Sequence, residues 1–114
     1  MISVNIYYTG KSGNAKRFAD EMEKSGIAAK IRAEEGNRGY DYFFPAQDDE
    51  TVLLVDKWTD QSAIDAHHAS PMMKQIILLR DKYDLAMRVE RFVSDDVPKS
   101  DNKFIRTNGG EGRV

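Results

Sequence analysis

The chain has 114 residues, enough for one domain that buries roughly two thirds of its unfolded surface around a single core. Its 40% apolar and 32% charged residues are those of a globular protein, and a net charge of −2 with scattered Lys and Arg argues against a nucleic-acid footprint. There is no cysteine, which excludes disulfides, thiolate metal sites and a cysteine nucleophile. The N-terminus lacks the charged stretch and apolar core of an export signal, and no apolar run nears ~18 residues. A cytoplasmic location without membrane insertion is the expectation.

Ile2 to Tyr8 predicts a strand, because Ile2, Val4 and Ile6 alternate with Ser3, Asn5 and Tyr7. Gly10 to Gly13 is a turn, with Asn14 placed to cap a helix whose apolar stripe is Ala15, Phe18, Ala19 and Met22. Ser25-Gly26 interrupts that helix, and Ile27 to Ala33 continues it as a second short piece. Glu35-Gly36-Asn37 is a turn into a second strand, Tyr40 to Phe44, which Pro45 stops. A third strand runs from Thr51 to Trp58. Thr59 or Asp60 then caps a short helix through His67 or His68, and Ser70-Pro71 starts another. That helix carries Met73, Ile76, Ile77 and Leu79 or Arg80 to its end near Tyr83. Ala86 to Val93 is the fourth strand. Residues 1–94 therefore form the domain, and 95–114 a polar tail ending in NGGEGRV, with no fixed structure expected at its end. Phe104-Ile105 is an apolar exception in the tail and suggests a docking arm.

The order β-α-β-β-α-β is the ferredoxin-like pattern of an α+β domain, with helices on one face of an antiparallel sheet. Val52 to Val55 is apolar without alternation, which implies burial on both faces of the third strand. In the second strand Tyr40, Tyr42 and Phe44 share one face and Phe43 takes the other. Helices can cover only one side. A second copy packed sheet to sheet is the simplest cover, so a homodimer is expected, with residual space between the sheets as its pocket.

The segment from Val52 to Met72 concentrates the scarce residues. It holds the only tryptophan, Trp58, and both histidines, His67 and His68. Adjacent histidines are poorly spaced for a metal, since ligands on one helical face stand three or four residues apart, and no third ligand is evident. Residues 58–71, WTDQSAIDAHHASP, resemble the Trp, Ala, His, Ser-Pro signature of the antibiotic biosynthesis monooxygenase domain. Residues 33–40, AEEGNRGY, are similar to the Glu-x-Gly-Asn-x-x-Tyr segment that leads into that family's second strand. Together with the element order, the likeness covers about residues 1–94.

The resemblance implies a dimeric α+β barrel in which each subunit encloses a pocket. It also implies an oxygenase that needs neither metal nor organic cofactor and oxidises quinols, anthrones or similar polyphenols. In such chemistry a small aromatic substrate, once deprotonated, passes an electron to O₂ itself. His67 occupies the position of the family's histidine, and a side chain with a pKa of about 6.5 suits proton transfer. The alternative is that His67 only closes a short helix, its ring bonding a free carbonyl. For Asn5 the likeness implies a first-strand asparagine that holds a substrate oxygen or O₂. Tyr7, Trp58, Tyr42, Phe44 and Met72 are expected to line the pocket, although Trp58 reads first as a structural ring packing the sheet against the second helix and Tyr7 fits an interface role equally. Asp56 shares a face with Trp58 and calls for a partner such as Arg38 or Arg91.

Two other readings share the fold. Haem-degrading relatives place a tryptophan where His67 stands and an axial histidine near Ile77, so their ligand is missing here. A non-redox dimeric binding or stress-response module, or an isomerase of a small polar metabolite, would use the Arg, Tyr and Asp residues around a pocket. An open, charged cavity favours that reading, and a closed, apolar one favours the oxygenase.

Overall fold

The computed structural model describes residues 1–107. It places four strands, β1 (Ile2–Thr9), β2 (Asn37–Phe43), β3 (Thr51–Trp58) and β4 (Ala86–Val93), and four helices, α1 (Asn14–Lys24), α2 (Ile27–Arg32), α3 (Gln61–His68) and α4 (Pro71–Lys82). The sheet order is β2-β3-β1-β4 with every neighbouring pair antiparallel. This is the ferredoxin-like arrangement, each crossover being a broken pair of helices. No helix among the described residues is long and apolar enough to cross a membrane.

Alternation decides which face each side chain takes. Ile6 and Tyr8 of β1, Val52, Leu54, Asp56 and Trp58 of β3, and Tyr40 of β2 point toward the helices and are buried. The expected stripe of α1 (Ala15, Phe18, Ala19 and Met22) meets them, joined by Ala28 and Ile31 of α2. Tyr8 packs on Phe18 with ring centres 4.8 Å apart. On the opposite face Asn5, Tyr7, Leu53 and Val55 are half-buried, and Phe43 and Phe92 are exposed. Among the described residues nothing packs over that face closely enough to bury it. β4 is exposed along its whole length, because the helices stop short of that edge.

Several local expectations are corrected. Asn14 does not cap α1. Gly13 holds the cap position in a left-handed conformation, and the Asn14 amide instead donates to the carbonyl of Tyr83, 3.1 Å away. β2 begins three residues earlier than its aromatic run, at Asn37, and Phe44 lies past its end, where Lys16 stands 5.4 Å from its ring centre. In α4 the inward residues are Ile76 and Leu79, whereas Ile77 is exposed. The tail leaves the sheet as an extended segment with a 3₁₀ turn at Lys99–Phe104, and Val97, Phe104 and Ile105 are all exposed. The segment NGGEGRV lies outside the described residues.

Candidate functional site

A cavity of about 280 Å³ opens between the sheet and the α3–α4 pair. Strands contribute Val4, Ile6 and Tyr8, then Tyr40, then Leu54, Asp56 and Trp58, and Met87, Val89 and Arg91 from the exposed edge. Helices contribute Ile64, His67 and His68, and Met73, Ile76 and Arg80. Its position differs from the expected one. This space lies under the helices, because they leave β4 uncovered and the gap beside it is not filled, while a more open groove on the other face of the sheet is bordered by Tyr7, Thr9, Thr51 and Arg88.

His67 lies in the last turn of α3, whose N-cap is Asp60, where the carboxylate accepts from the Ala63 N–H at 2.9 Å. Helix α3 carries the imidazole from this cap to the cavity, where it is 5% exposed. Its Nδ1 lies 2.9 Å from Oε1 of Glu34, and its ring lies 4.8 Å from that of Trp58, tilted by 30°. A carboxylate facing Nδ1 requires the proton there, which in the neutral ring leaves Nε2 as the basic nitrogen. His67 thus bonds a carboxylate and not a carbonyl at the end of its helix. His68 is exposed at the rim, its ring 5.8 Å from that of His67.

Glu34 is delivered by the turn between α2 and β2, and Gly36 makes that turn possible. Gly36 has φ of 84°, a region that side chains rarely tolerate, and its carbonyl accepts from the Thr59 N–H at 2.9 Å. A Cβ there would stand 2.5 Å from the Cβ of Ala63 and 2.8 Å from the Thr59 hydroxyl. The turn can therefore close directly against the start of α3, and Glu34 and His67, 33 residues apart in sequence, come together.

Asp56 is the most perturbed acid of the cavity. It is 5% exposed, and its Oδ1 has no hydrogen-bond partner. Burial pushes its carboxyl up to about 7, the charge of Glu34 adds to the rise, and the Trp58 indole N–H opposes it. That N–H is close enough to favour the carboxylate but does not complete a hydrogen bond, and Nε1 of Trp58 is likewise buried without a partner. Neither expected arginine pairs with Asp56. Arg38 is exposed, and Arg91 donates to Oε1 of Gln61 at 2.6 Å, tying the β4 edge to α3. Tyr8 is buried, and its hydroxyl accepts from Nε and an Nη of Arg80 at 3.1 and 2.9 Å. Burial raises the phenol above its ordinary value, and the guanidinium works against that rise.

Of the candidate catalytic and pocket residues named from the sequence, the cavity unites His67 and Trp58, and it adds Asp56, His68 and Arg91, which the sequence had also drawn attention to. Asn5 and Tyr7 are on the other side of the sheet. Asn5 accepts from the Ser3 hydroxyl at 2.8 Å, and the Tyr7 ring lies 4.1 Å below the Arg88 guanidinium. Tyr42 packs edge-on against Phe18 and Tyr40, and with Phe44 it borders a separate shallow groove. Met72 is half-buried against the core, while the adjacent Met73 faces the cavity. Tyr8 and Arg80 went unnoticed in the sequence as site residues, and Glu34 stands there only as the Glu of the Glu-x-Gly-Asn-x-x-Tyr segment, with no role attached to it. Asp56 left a signal, being the one charge among the inward positions 52, 54, 56 and 58. Among the described residues no group of three or more His, Asp and Glu is placed to hold a metal ion.

Comparison with known proteins matches residues 1–77 to a family model described as antibiotic biosynthesis monooxygenase. YcnE of Bacillus subtilis, named as a candidate monooxygenase, is 31% identical over 68 residues, which are 60% of this chain and 70% of that protein. Among solved structures, a candidate antibiotic biosynthesis monooxygenase from Deinococcus radiodurans superposes with a TM-score of 0.74 at 16% identity, over 87% of this chain and 97% of the other. SnoaB, a cofactor-independent oxygenase from Streptomyces nogalater, superposes with a TM-score of 0.71 at 14% identity, over 86% and 96%. At these identities the likeness of the solved structures is one of fold.

Proposed function

This chain belongs to the antibiotic biosynthesis monooxygenase family, and from that membership we propose that it oxidises a quinol, anthrone or similar polyphenol with O₂. The observation that carries the reading is the His67–Glu34 pair at the wall of a largely apolar, aromatic cavity. His67, with Nδ1 engaged by Glu34, takes the proton whose loss converts the substrate to an electron-rich anion. The anion gives one electron to O₂, the two radicals join as a peroxide at carbon, and water leaves. For a ring CH₂ the sum is CH₂ + O₂ → C=O + H₂O, with the substrate as the sole reductant. Trp58 and Tyr40 form the aromatic wall, and the apolar lining excludes water from the intermediates.

Asn5 and Tyr7 enter this reading through assembly and not through the cavity. A second copy packed on the open face of the sheet would bury Tyr7, Leu53, Val55, Phe43 and Phe92, with Asn5 among them, and the arm at Phe104-Ile105 could reach that copy. The homodimer, the small aromatic substrate and a cytoplasmic location belong to the same proposal.

The test is oxygen uptake by metal-stripped protein, without flavin, across a panel of reduced quinols and anthrones, alongside His67→Ala. Uptake above the autoxidation blank that falls at least ~10²-fold in the variant supports oxygenase and base together. Uptake unchanged in the variant keeps the oxygenase and removes the base. Asp56, Arg80 and Arg91 around the same cavity favour a second reading, a non-redox binding protein or isomerase of a small polar metabolite. No uptake on any substrate would move the assignment there.

A further inference from the structure

Arg80 stands half-buried on the cavity wall, and among the described residues no carboxylate lies within ion-pair distance of it. Other cations of the fold are answered by acids: Arg32 by Glu23, Arg88 by Glu90, and Lys82, in the same last turn of α4, by Glu21. Arg91 bonds Gln61, whose amide N–H donates in turn to Asp65 at 2.9 Å. Arg80 has only the phenol oxygen of Tyr8, which accepts from its Nε and one Nη. Burial raises that phenol above its ordinary value, so the oxygen it offers is neutral. The acid on the same wall, Asp56, feels Glu34 and the Trp58 N–H and not Arg80. A cation drawn out of bulk water is ordinarily paired, and this one is not.

The second Nη of Arg80 has no acceptor among the described residues, and it is not one of the atoms closed off from solvent. A ligand can therefore reach it. The Tyr8 oxygen grips the guanidinium at two nitrogens and fixes its plane in advance. A carboxylate answers such a group best, with matching charge and planar oxygens. A neutral amide or hydroxyl would leave the charge unmatched, and a doubly charged phosphoryl group asks for more donors than one partly engaged guanidinium supplies. The sheet register adds direction. Tyr8 pairs with Val52 and Ile2 with Trp58, so Arg80 enters the cavity from the Tyr8 end and His67, stacked on Trp58, from the other. Ile6, Leu54, Ile64 and Ile76 wall the space and suit a ring system.

We propose that Arg80, held in place by the Tyr8 hydroxyl, is a specificity-determining residue that selects aromatic substrates carrying a carboxylate at the end away from the hydroxyl that His67 deprotonates. This rests on the reading of the cavity as the substrate site, but it requires no oxygen chemistry.

The test is calorimetric binding without oxygen at pH 7.5, using 6-hydroxy-2-naphthoate and its carboxamide as probes of equal size. The wild-type protein should bind the naphthoate about 10-fold or more tightly than the amide. In Arg80→Gln, and independently in Arg80→Met, that preference should shrink to within about 2-fold while the amide binds as before. Should one variant fail to fold, the other decides. Equal binding of the two probes by the wild-type protein, a preference that survives in the variants, a loss that weakens both probes alike, or no binding of either probe would each overturn the assignment. Oxygen uptake is read separately. A carboxylate preference without uptake on any substrate leaves Arg80 its role and removes the oxygenase, and uptake by a protein that shows no preference does the reverse.

Discussion

Replacing Asp56 by asparagine should stabilise the protein increasingly as pH rises. The carboxyl ionises at about 7 in the folded chain against an ordinary 3.8, with burial the main cause, Glu34 adding to it and the Trp58 N–H opposing it. A raised value means that the folded protein keeps a proton the unfolded chain has already released. The group's contribution to stability is therefore complete below about pH 4 and is lost as pH rises through about 7. At about 1.4 kcal/mol per pH unit, the loss is about 1.7 kcal/mol at pH 5 and about 4 kcal/mol at pH 8.5. Asparagine does not titrate, and its own burial cost is the same at both pH values. The advantage of Asp56→Asn over wild type should thus grow by about 3 kcal/mol between pH 5 and pH 8.5. Glu34, His67, His68, Tyr8, Arg80 and Arg91 lie beside or around the same space and are present in both proteins. Urea unfolding followed by the emission of the single tryptophan, Trp58, measures the difference directly. A gap that stays constant over this range would refute the buried, unpaired carboxyl.

Three further outcomes are expected. Glu34→Ala should lower kcat about 10-fold or more on whatever substrate the wild-type protein oxidises, because the Nδ1 anchor of His67 is lost; an unchanged kcat would mean that stacking on Trp58 alone orients the ring. Gly36→Ala should destabilise the fold by about 2–3 kcal/mol, through its positive φ and the 2.5 Å approach to Ala63, and a thermal melt within 1 °C of wild type would contradict that geometry. Val55→Asp, at the centre of the open sheet face, should shift a homodimer to monomer in sedimentation. A wild-type protein that sediments as a monomer at high concentration would sink the proposed assembly.

Much of this architecture is readable from periodicity. The i, i+3, i+4, i+7 stripe of α1 lands in the core residue for residue, since a 3.6-residue repeat leaves one face for those positions. Asp60 and Pro71 mark the helix starts where they stand, Asp60 through a bond to an N–H three residues on and Pro71 through its fixed φ, whereas the Ser70 hydroxyl makes no capping bond. Asn14 fails for the complementary reason: a residue with a good capping side chain was drawn to the distant carbonyl of Tyr83. Ile77 and Ile76 differ by one position on a helix that is apolar nearly all round, and only the placement of the neighbouring helices chooses between them.

The chain by itself determined the four strands, the broken helices and their order, and it drew attention to Trp58 and His67 within ten residues of one another. These are consequences of local spacing and backbone preference. The partnership of His67 with Glu34, the isolation of Asp56 and the side of the sheet on which the cavity opens were decided by tertiary structure. Each depends on atoms brought together from distant segments: a glycine turn closed against α3, an arginine that bonds Gln61 and not Asp56, and helices that end before the β4 edge. Alternation assigns Asn5 to one face and Asp56 to the other, but only packing shows that the more enclosed space lies on the Asp56 face and an open groove on the other.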